Sequence, residues 1–145
     1  MPFLDTDDQV RLHYGETGTG PPLVFVHGWA MSGRVWHFQE QAFRAGRRVV
    51  LPDLRGHGLS GDGEDFGIER LAADLAALWE ELDLCDGVFV GWSLGAQVAL
   101  RAFPLLRDRL RGMVLVGGTP RFTATDGYAC GLPASEVRGM GLRLR

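Results

Sequence analysis

Apolar residues in this chain fall in short runs separated by stretches long enough to form helices. Residues 23–26, 49–51, 88–90 and 113–116 are apolar throughout, as strands buried on both faces of a parallel sheet are. The intervening segments supply crossover helices, so the pattern predicts an α/β fold with a mostly parallel sheet and right-handed connections. The clearest helix spans residues 68–82: Ile68, Leu71, Leu75, Leu78 and Leu82 share one stripe, with Glu69, Asp74, Glu80 and Glu81 on the other faces. A shorter one is expected after Ser32 as N-cap, carrying Val35, Trp36, Phe38 and Phe43. The run after Ser93 is apolar nearly all round, which predicts a helix covered on both sides and ending before Pro104. Residues 9–14 alternate as an edge strand, and residues 15–22 form a turn-rich connector. No internal repeat, low-complexity tract or interdomain linker is visible.

Chemistry enters where these strands end. Gly91-Trp92-Ser93-Leu94-Gly95 joins the strand at 88–90 to the helix that follows. A G-x-S-x-G sequence in that position reads as a nucleophile elbow, in which Gly91 and Gly95 let the backbone bend sharply enough to lift the hydroxyl of Ser93 above the sheet. The pentapeptide is short for a chain with 21 glycines. Its weight comes from a second strand end, His27-Gly28-Trp29 after residues 23–26. Ligands of open parallel sheets gather beyond the carboxyl ends of the strands, where His27-Gly28-Trp29, Asp53 and Ser93 all lie, so they are expected to share one cleft. The plainer reading of Ser93, an N-cap in a glycine-rich turn, accounts for the turn but not for the second strand end. Gly56-His57-Gly58-Leu59-Ser60-Gly61 fits the dinucleotide pattern G-x-G-x-x-G, yet no helix opens there before Ile68, and the absence of Lys excludes a Walker A loop.

Together with Asp53-Leu54-Arg55-Gly56-His57-Gly58-Leu59-Ser60, these motifs stand in the order and spacing of the α/β-hydrolase family, and the chain resembles that family from about residue 10 to its end. The resemblance implies a serine carboxylic-ester hydrolase working through an acyl-enzyme, with Ser93 as nucleophile and the backbone N–H groups of Trp29 and Leu94 as the oxyanion hole. It assigns residues 1–118 to the N-terminal part of the hydrolase core and residues 119–145 to the start of a lid. The family's base follows its last strand, so His27 is expected to hold its loop instead. Asp53 and His57 are expected to stabilise the loop 53–60, and His13 and His37 to lie at the surface or the core edge. No acid occurs in residues 117–123, and Asp126 reads as a turn residue before Gly127. The triad acid and histidine are therefore expected outside this chain, which alone should be inactive. The strand at 113–116, interior in the family's sheet, would then be an open edge prone to self-association.

Within the family, Gly91-Trp92-Ser93-Leu94-Gly95 with Pro120, Phe122, Ala124, Asp126, Tyr128 and Gly131 is similar to the esterases that cleave a pimeloyl methyl ester held on acyl carrier protein in biotin synthesis. The alternatives are another small-ester or lactone hydrolase, or a noncatalytic fragment or subunit that needs a complementary half.

Charge refines this picture. At 145 residues and net charge −3, one domain and no nucleic-acid partner are expected. Residues 1–100 carry 7 Arg against 15 acidic residues, a net of −8, whereas residues 101–145 carry 8 Arg against 3, a net of +5. Arg138, Arg143 and Arg145 in that basic end suit an acidic carrier. Lys and Asn are absent and Ile occurs once, as in a GC-rich genome, which weakens each arginine as a sign of specific recognition. No targeting segment and no apolar run approaching the ~20 residues of a membrane helix is present, so a cytoplasmic protein without membrane contact is expected. Cys85 and Cys130 lack metal or redox spacing and read as free thiols. Neither a metal nor a cofactor is implied.

Overall fold

The computed structural model describes residues 2–142, with side chains through Arg138. The strands are β1 (Phe3–Asp5), β2 (Arg11–Thr17), β3 (Pro22–Val26), β4 (Arg48–Pro52), β5 (Gly87–Trp92) and β6 (Leu110–Val116). The helices are α1 (His37–Phe43), α2 (Ile68–Glu81), α3 (Leu94–Leu106) and α4 (Ala134–Leu142), with a 3₁₀ turn over Gly33–Trp36. The sheet has the order β1-β2-β4-β3-β5-β6. β4, β3, β5 and β6 run parallel, and β2 is antiparallel to both β1 and β4. From β3 the chain moves outward to β4 and then crosses back over β3 to β5. The crevice at which strand order reverses therefore opens between the carboxyl ends of β3 and β5.

The four apolar runs become the four parallel strands because both faces of the sheet are covered where they lie. Val24, Val26, Val50 and Phe89 pack against Leu71, Leu75, Leu78 and Trp79 of α2 and Val98, Ala99 and Ala102 of α3. Leu23, Phe25, Val49, Leu51 and Val90 face the other way, against Trp36. This second face is thinly covered: α1 has no buried residue, and Phe38 is 77% exposed. The single helix expected after Ser32 is instead a 3₁₀ turn carrying Val35 and Trp36 followed by α1 carrying Phe38 and Phe43, and of these four only Trp36 is buried.

Other boundaries shift for identifiable reasons. The expected edge strand at 9–14 runs from Arg11 to Thr17 and lies inside the sheet, because Tyr14 to Thr17 pair with Pro52 to Val49 and β1 adds a short outer strand. Pairing with β4 thereby draws part of the expected connector at 15–22 into the sheet. Ser32 makes no side-chain capping bond. The first N–H of the turn, that of Gly33, donates to the Asp53 carboxylate. α2 stops at Glu81, with Leu82 as its C-cap. α3 continues past Pro104 to Leu106. Pro104 frees only the Leu100 carbonyl, on a water-facing side, and buried Leu106 holds the last turn. Nor is α3 covered on both sides, since Leu100, Phe103 and Leu105 are exposed.

Asp74, expected on the polar side of α2, is buried. It sits three residues after Leu71 and four before Leu78, on the inward stripe, and there it meets Arg55. Arg55 is 0% exposed, and all five of its N–H groups have acceptors. Nε and Nη2 donate to Asp74 at 2.6 and 2.8 Å, Nη1 and Nη2 to Asp8 at 2.8 and 3.1 Å, and Nη1 to the Asp65 carbonyl at 3.2 Å. Hydrogen bonds from Asp74 and then Asp8 raise the already high guanidinium pKa. Arg55 in turn holds the Asp8 carboxyl well below the usual carboxylate range. Arg70 adds bonds to Asp74 and Asp7. The network ties the turn before β2, the loop after β4 and α2 into one body.

After β6, residues 119–142 form short bridges, Thr123 with Leu132 and Thr125 with Tyr128, followed by α4. Thr125 and Tyr128 exchange backbone bonds around Gly127 at φ 84°, so Asp126 occupies a turn as expected. Cys85 and Cys130 are free and exposed. Arg138 is exposed, and Arg143 and Arg145 lie outside the described residues. Among the described residues, no helix is long and apolar enough to cross a membrane.

Replacing one partner of a fully desolvated ion pair strands the other. Asp74→Ala is expected to lower unfolding free energy by about 3–5 kcal/mol, read as a lower urea midpoint. A change below about 1 kcal/mol would mean that Arg55 reaches water or another acceptor.

Candidate active site

Ser93 joins β5 to α3 with φ 53° and ψ −108°, a backbone conformation that costs a non-glycine residue roughly 1–3 kcal/mol. The surroundings enforce it. A Cβ on Gly91 would overlap the Gly95 carbonyl and lie 2.7 Å from the Ala96 nitrogen, and one on Gly95 would overlap the Val26 carbonyl and lie 2.8 Å from the His27 oxygen. The start of α3 is thus pressed onto the ends of β3 and β5, as only glycine allows. The Ser93 N–H donates to the Val116 carbonyl at 2.9 Å, so the end of β6 also fixes the turn.

The loop after β3 comes up against this turn. A methyl group on Gly28 would lie 3.4 Å from the Ser93 Cβ, which brings the two strand ends singled out in the sequence into contact. Trp29 follows, with an exposed side chain, and Ala30 bends the loop at φ 58°. Among the loop and cap hydrogen bonds of the described residues, neither the Trp29 N–H nor the Leu94 N–H has a backbone acceptor. Leu94 opens the 13-residue helix α3, whose N-terminal positive potential lies beside Ser93.

His27 is fully buried and both ring nitrogens are engaged: Nδ1 donates to the Gly28 carbonyl at 2.7 Å, and Nε2 accepts the Leu54 N–H at 3.0 Å. That pairing requires the neutral ring, and burial pushes its pKa down. His27 therefore clamps its own loop. Asp53 also acts structurally, accepting the N–H groups of Gly33 and Leu59. The His57 ring packs 5.1 Å from that of His27 and bonds to the Arg55 carbonyl. His37 pairs with Gln41 on the surface. Among the described residues, no histidine or carboxylate hydrogen-bonds the Ser93 hydroxyl.

Three contributors escaped the sequence pattern. His13 donates to Asp53 from β2. The Leu54 N–H is a backbone group with no sequence signature. Gly118 lies so close to the start of α3 that a Cβ there would overlap that of Ala96; its place just after the last apolar strand was the one available hint.

Comparison with known proteins agrees with this architecture. Residues 21–129 match the family model of the alpha/beta hydrolase fold. A non-heme chloroperoxidase from Kitasatospora aureofaciens is 39% identical over 125 residues, covering 83% of this chain and 45% of that protein. A pimeloyl-[acyl-carrier protein] methyl ester esterase from Aeromonas salmonicida is 38% identical over 111 residues, covering 75% of this chain and 42% of that one. An esterase from Exiguobacterium antarcticum superposes with a TM-score of 0.90 at 26% identity, over 95% of this chain and 53% of its own. The chain thus spans about half the length of the relatives it matches. With the elbow at Ser93, the glycine-packed approach of β3, β5 and α3, and a family match over residues 21–129, the chain belongs to the α/β-hydrolase family.

Proposed function

We propose that Ser93 is the nucleophile of a serine carboxylic-ester hydrolase. Its Oγ attacks the ester carbonyl carbon, the alcohol leaves with a proton, and water then hydrolyses the acyl-enzyme to return the free serine. The N–H groups of Trp29 and Leu94 receive the oxyanion, each contributing about 2.7–4 kcal/mol to the transition state. The observation that carries the reading is the Ser93 backbone at φ 53° directly beside Gly28, a strained turn held where a nucleophile and a second donor loop meet. His27 has no free nitrogen to serve as base, and among the described residues no histidine or carboxylate hydrogen-bonds the Ser93 hydroxyl, so this reading requires a base and an orienting acid from chain outside these 145 residues. Residues 1–118 then form the N-terminal part of the core, and residues 119–145 begin the lid over the cleft.

For the substrate, the similarity to pimeloyl-[acyl-carrier protein] methyl ester esterases and the basic end with exposed Arg138 favour an ester carried on an acidic acyl carrier protein. The exposed, unpaired thiols of Cys85 and Cys130 suit a reducing cytoplasm. The free edge of β6, with Val114, Leu115 and Val116 exposed, favours self-association of the isolated chain through strand pairing.

Three measurements test these statements. In a polypeptide that carries these residues together with a histidine and an acid after them, Ser93→Ala should abolish labelling by a fluorophosphonate probe and lower kcat by a factor on the order of 10⁶, as in another serine hydrolase; undiminished labelling would remove Ser93 from the mechanism. Residues 1–145 alone should hydrolyse esters at background rate, and turnover that disappears with Ser93→Ala would reveal a base within them. Light scattering at micromolar concentration should find the isolated chain larger than a monomer and Leu115→Lys shifted toward monomer. A monodisperse wild-type monomer would show the edge to be closed.

A further inference from the structure

The loop from His27 to Gly33 carries Trp29 and is held at both ends by consecutive residues after β4. At its near end the Leu54 N–H donates to His27 Nε2. At its far end the Gly33 N–H donates to Asp53 Oδ1 at 2.6 Å, and Gly33 is pressed so closely onto β4 that a Cβ would lie 2.9 Å from the Leu51 oxygen. How the loop stands against Ser93 therefore depends on where the Asp53 carboxylate points.

Asp53 is nearly buried and its second oxygen has two donors, the Leu59 N–H and His13 Nδ1, each at 2.9 Å. A Cβ on Gly58 would overlap the carboxylate, so the loop 53–60 closes tightly round it. Of the three donors, only His13 is a side chain, and it reaches across from β2. Its own placement is firm: its backbone N–H donates to Ser60 Oγ at 2.9 Å, Ser60 Oγ donates to the Asp53 carbonyl at 2.6 Å, and Phe3 of β1 packs edge-on against the ring at 5.4 Å. The other side of the ring faces a cavity of about 980 Å³ along β2 and β4, whose walls also carry Glu16, Arg34, His37 and Glu40 and do not include Ser93. Arg11 lies over the Phe3 ring.

We propose that His13 is a positioning residue for the oxyanion loop: its Nδ1–H holds the Asp53 carboxylate toward the Gly33 N–H and so sets the place of Trp29 against Ser93. The proposal rests on reading the Trp29 N–H as an oxyanion donor, and its function is indirect, since His13 touches neither Ser93 nor the cleft.

Nuclear magnetic resonance on residues 1–145 tests it without any turnover. In the wild type, the Gly33 amide proton should be strongly downfield, because its bond to the Asp53 carboxylate is short and charge-assisted. His13→Leu fills the space without a donor. It should move the Gly33 signal upfield and speed amide exchange at Trp29 and Gly33 about tenfold while Val98 and Ala99 of α3 stay protected. His13→Asn, with an amide N–H near the place of Nδ1, should restore both. A wild-type Gly33 signal in the ordinary amide range overturns the proposal, whether or not either variant folds. So does a His13→Leu spectrum unchanged at Gly33, or faster exchange spread evenly over the chain. Loss of the Ser93 assignment in the labelling experiment would leave these amide readouts untouched, so the two readings fail separately.

Discussion

The structure depends on one close approach. The first turn of α3 lies against the ends of β3 and β5 with no Cβ in the contact, because Gly91 and Gly95 occupy the points where one would overlap backbone. That approach leaves the connecting residue no relaxed conformation, and Ser93 takes φ 53°. A strained serine persists only where neighbours over-determine it. Here they are the bond from Ser93 to Val116, the helix that begins at Leu94, and Gly28 packed against the serine. The same contact seats Ser93 at the ends of the strands and puts the loop after β3 beside it.

Three consecutive residues after β4 carry much of the remaining order. Asp53 accepts the N–H at the far end of the loop after β3, the Leu54 N–H donates to His27 at its near end, and Arg55 ties the segment to α2 and to the turn before β2. The division of labour follows from their environments. A nearly buried carboxylate needs donors and finds three, whereas a fully buried guanidinium needs five acceptors and finds them on Asp74, Asp8 and the Asp65 carbonyl. Buried charges are retained in a core only under such complete pairing. The loop 53–60 thus holds the neighbourhood of Ser93 together although, among the described residues, none of its side chains hydrogen-bonds that serine.

The two sides of the molecule are unequally finished. On the β1 side the sheet ends in a short strand, a modest edge of the kind that limits strand pairing. On the β6 side the edge is seven residues long with an exposed apolar end, and the outer face of α3 exposes Leu100, Phe103 and Leu105. The relatives contain about as much chain again as the part matched here. Their chloroperoxidase and esterase names occur at nearly equal identity, 39% and 38%, so overall identity does not choose between them.

Much of the fold was legible along the chain. Four apolar runs, one amphipathic stripe and two glycine-bearing strand ends determined the parallel sheet, α2 and the elbow, because hydrophobic period and glycine placement are local properties. The position of Asp74 within the stripe of Leu71, Leu75 and Leu78 already pointed inward, and only its charge argued otherwise. What the sequence could not determine were features that need a partner from elsewhere. β2 extends to Thr17 because β4 lies beside it, the Gly33 N–H finds its acceptor on Asp53, 20 residues on, and α3 passes Pro104 because Leu106 is buried beneath it. His13 belongs to the same class. Its sequence position marks it only as one residue of an alternating strand, and its bond to an aspartate 40 residues later exists because β2 and β4 are neighbours. Local pattern thus determined the elements and the tight turn at Ser93, while tertiary pairing decided which donors and charges hold them in place, since a hydrogen bond between distant residues has no period to betray it.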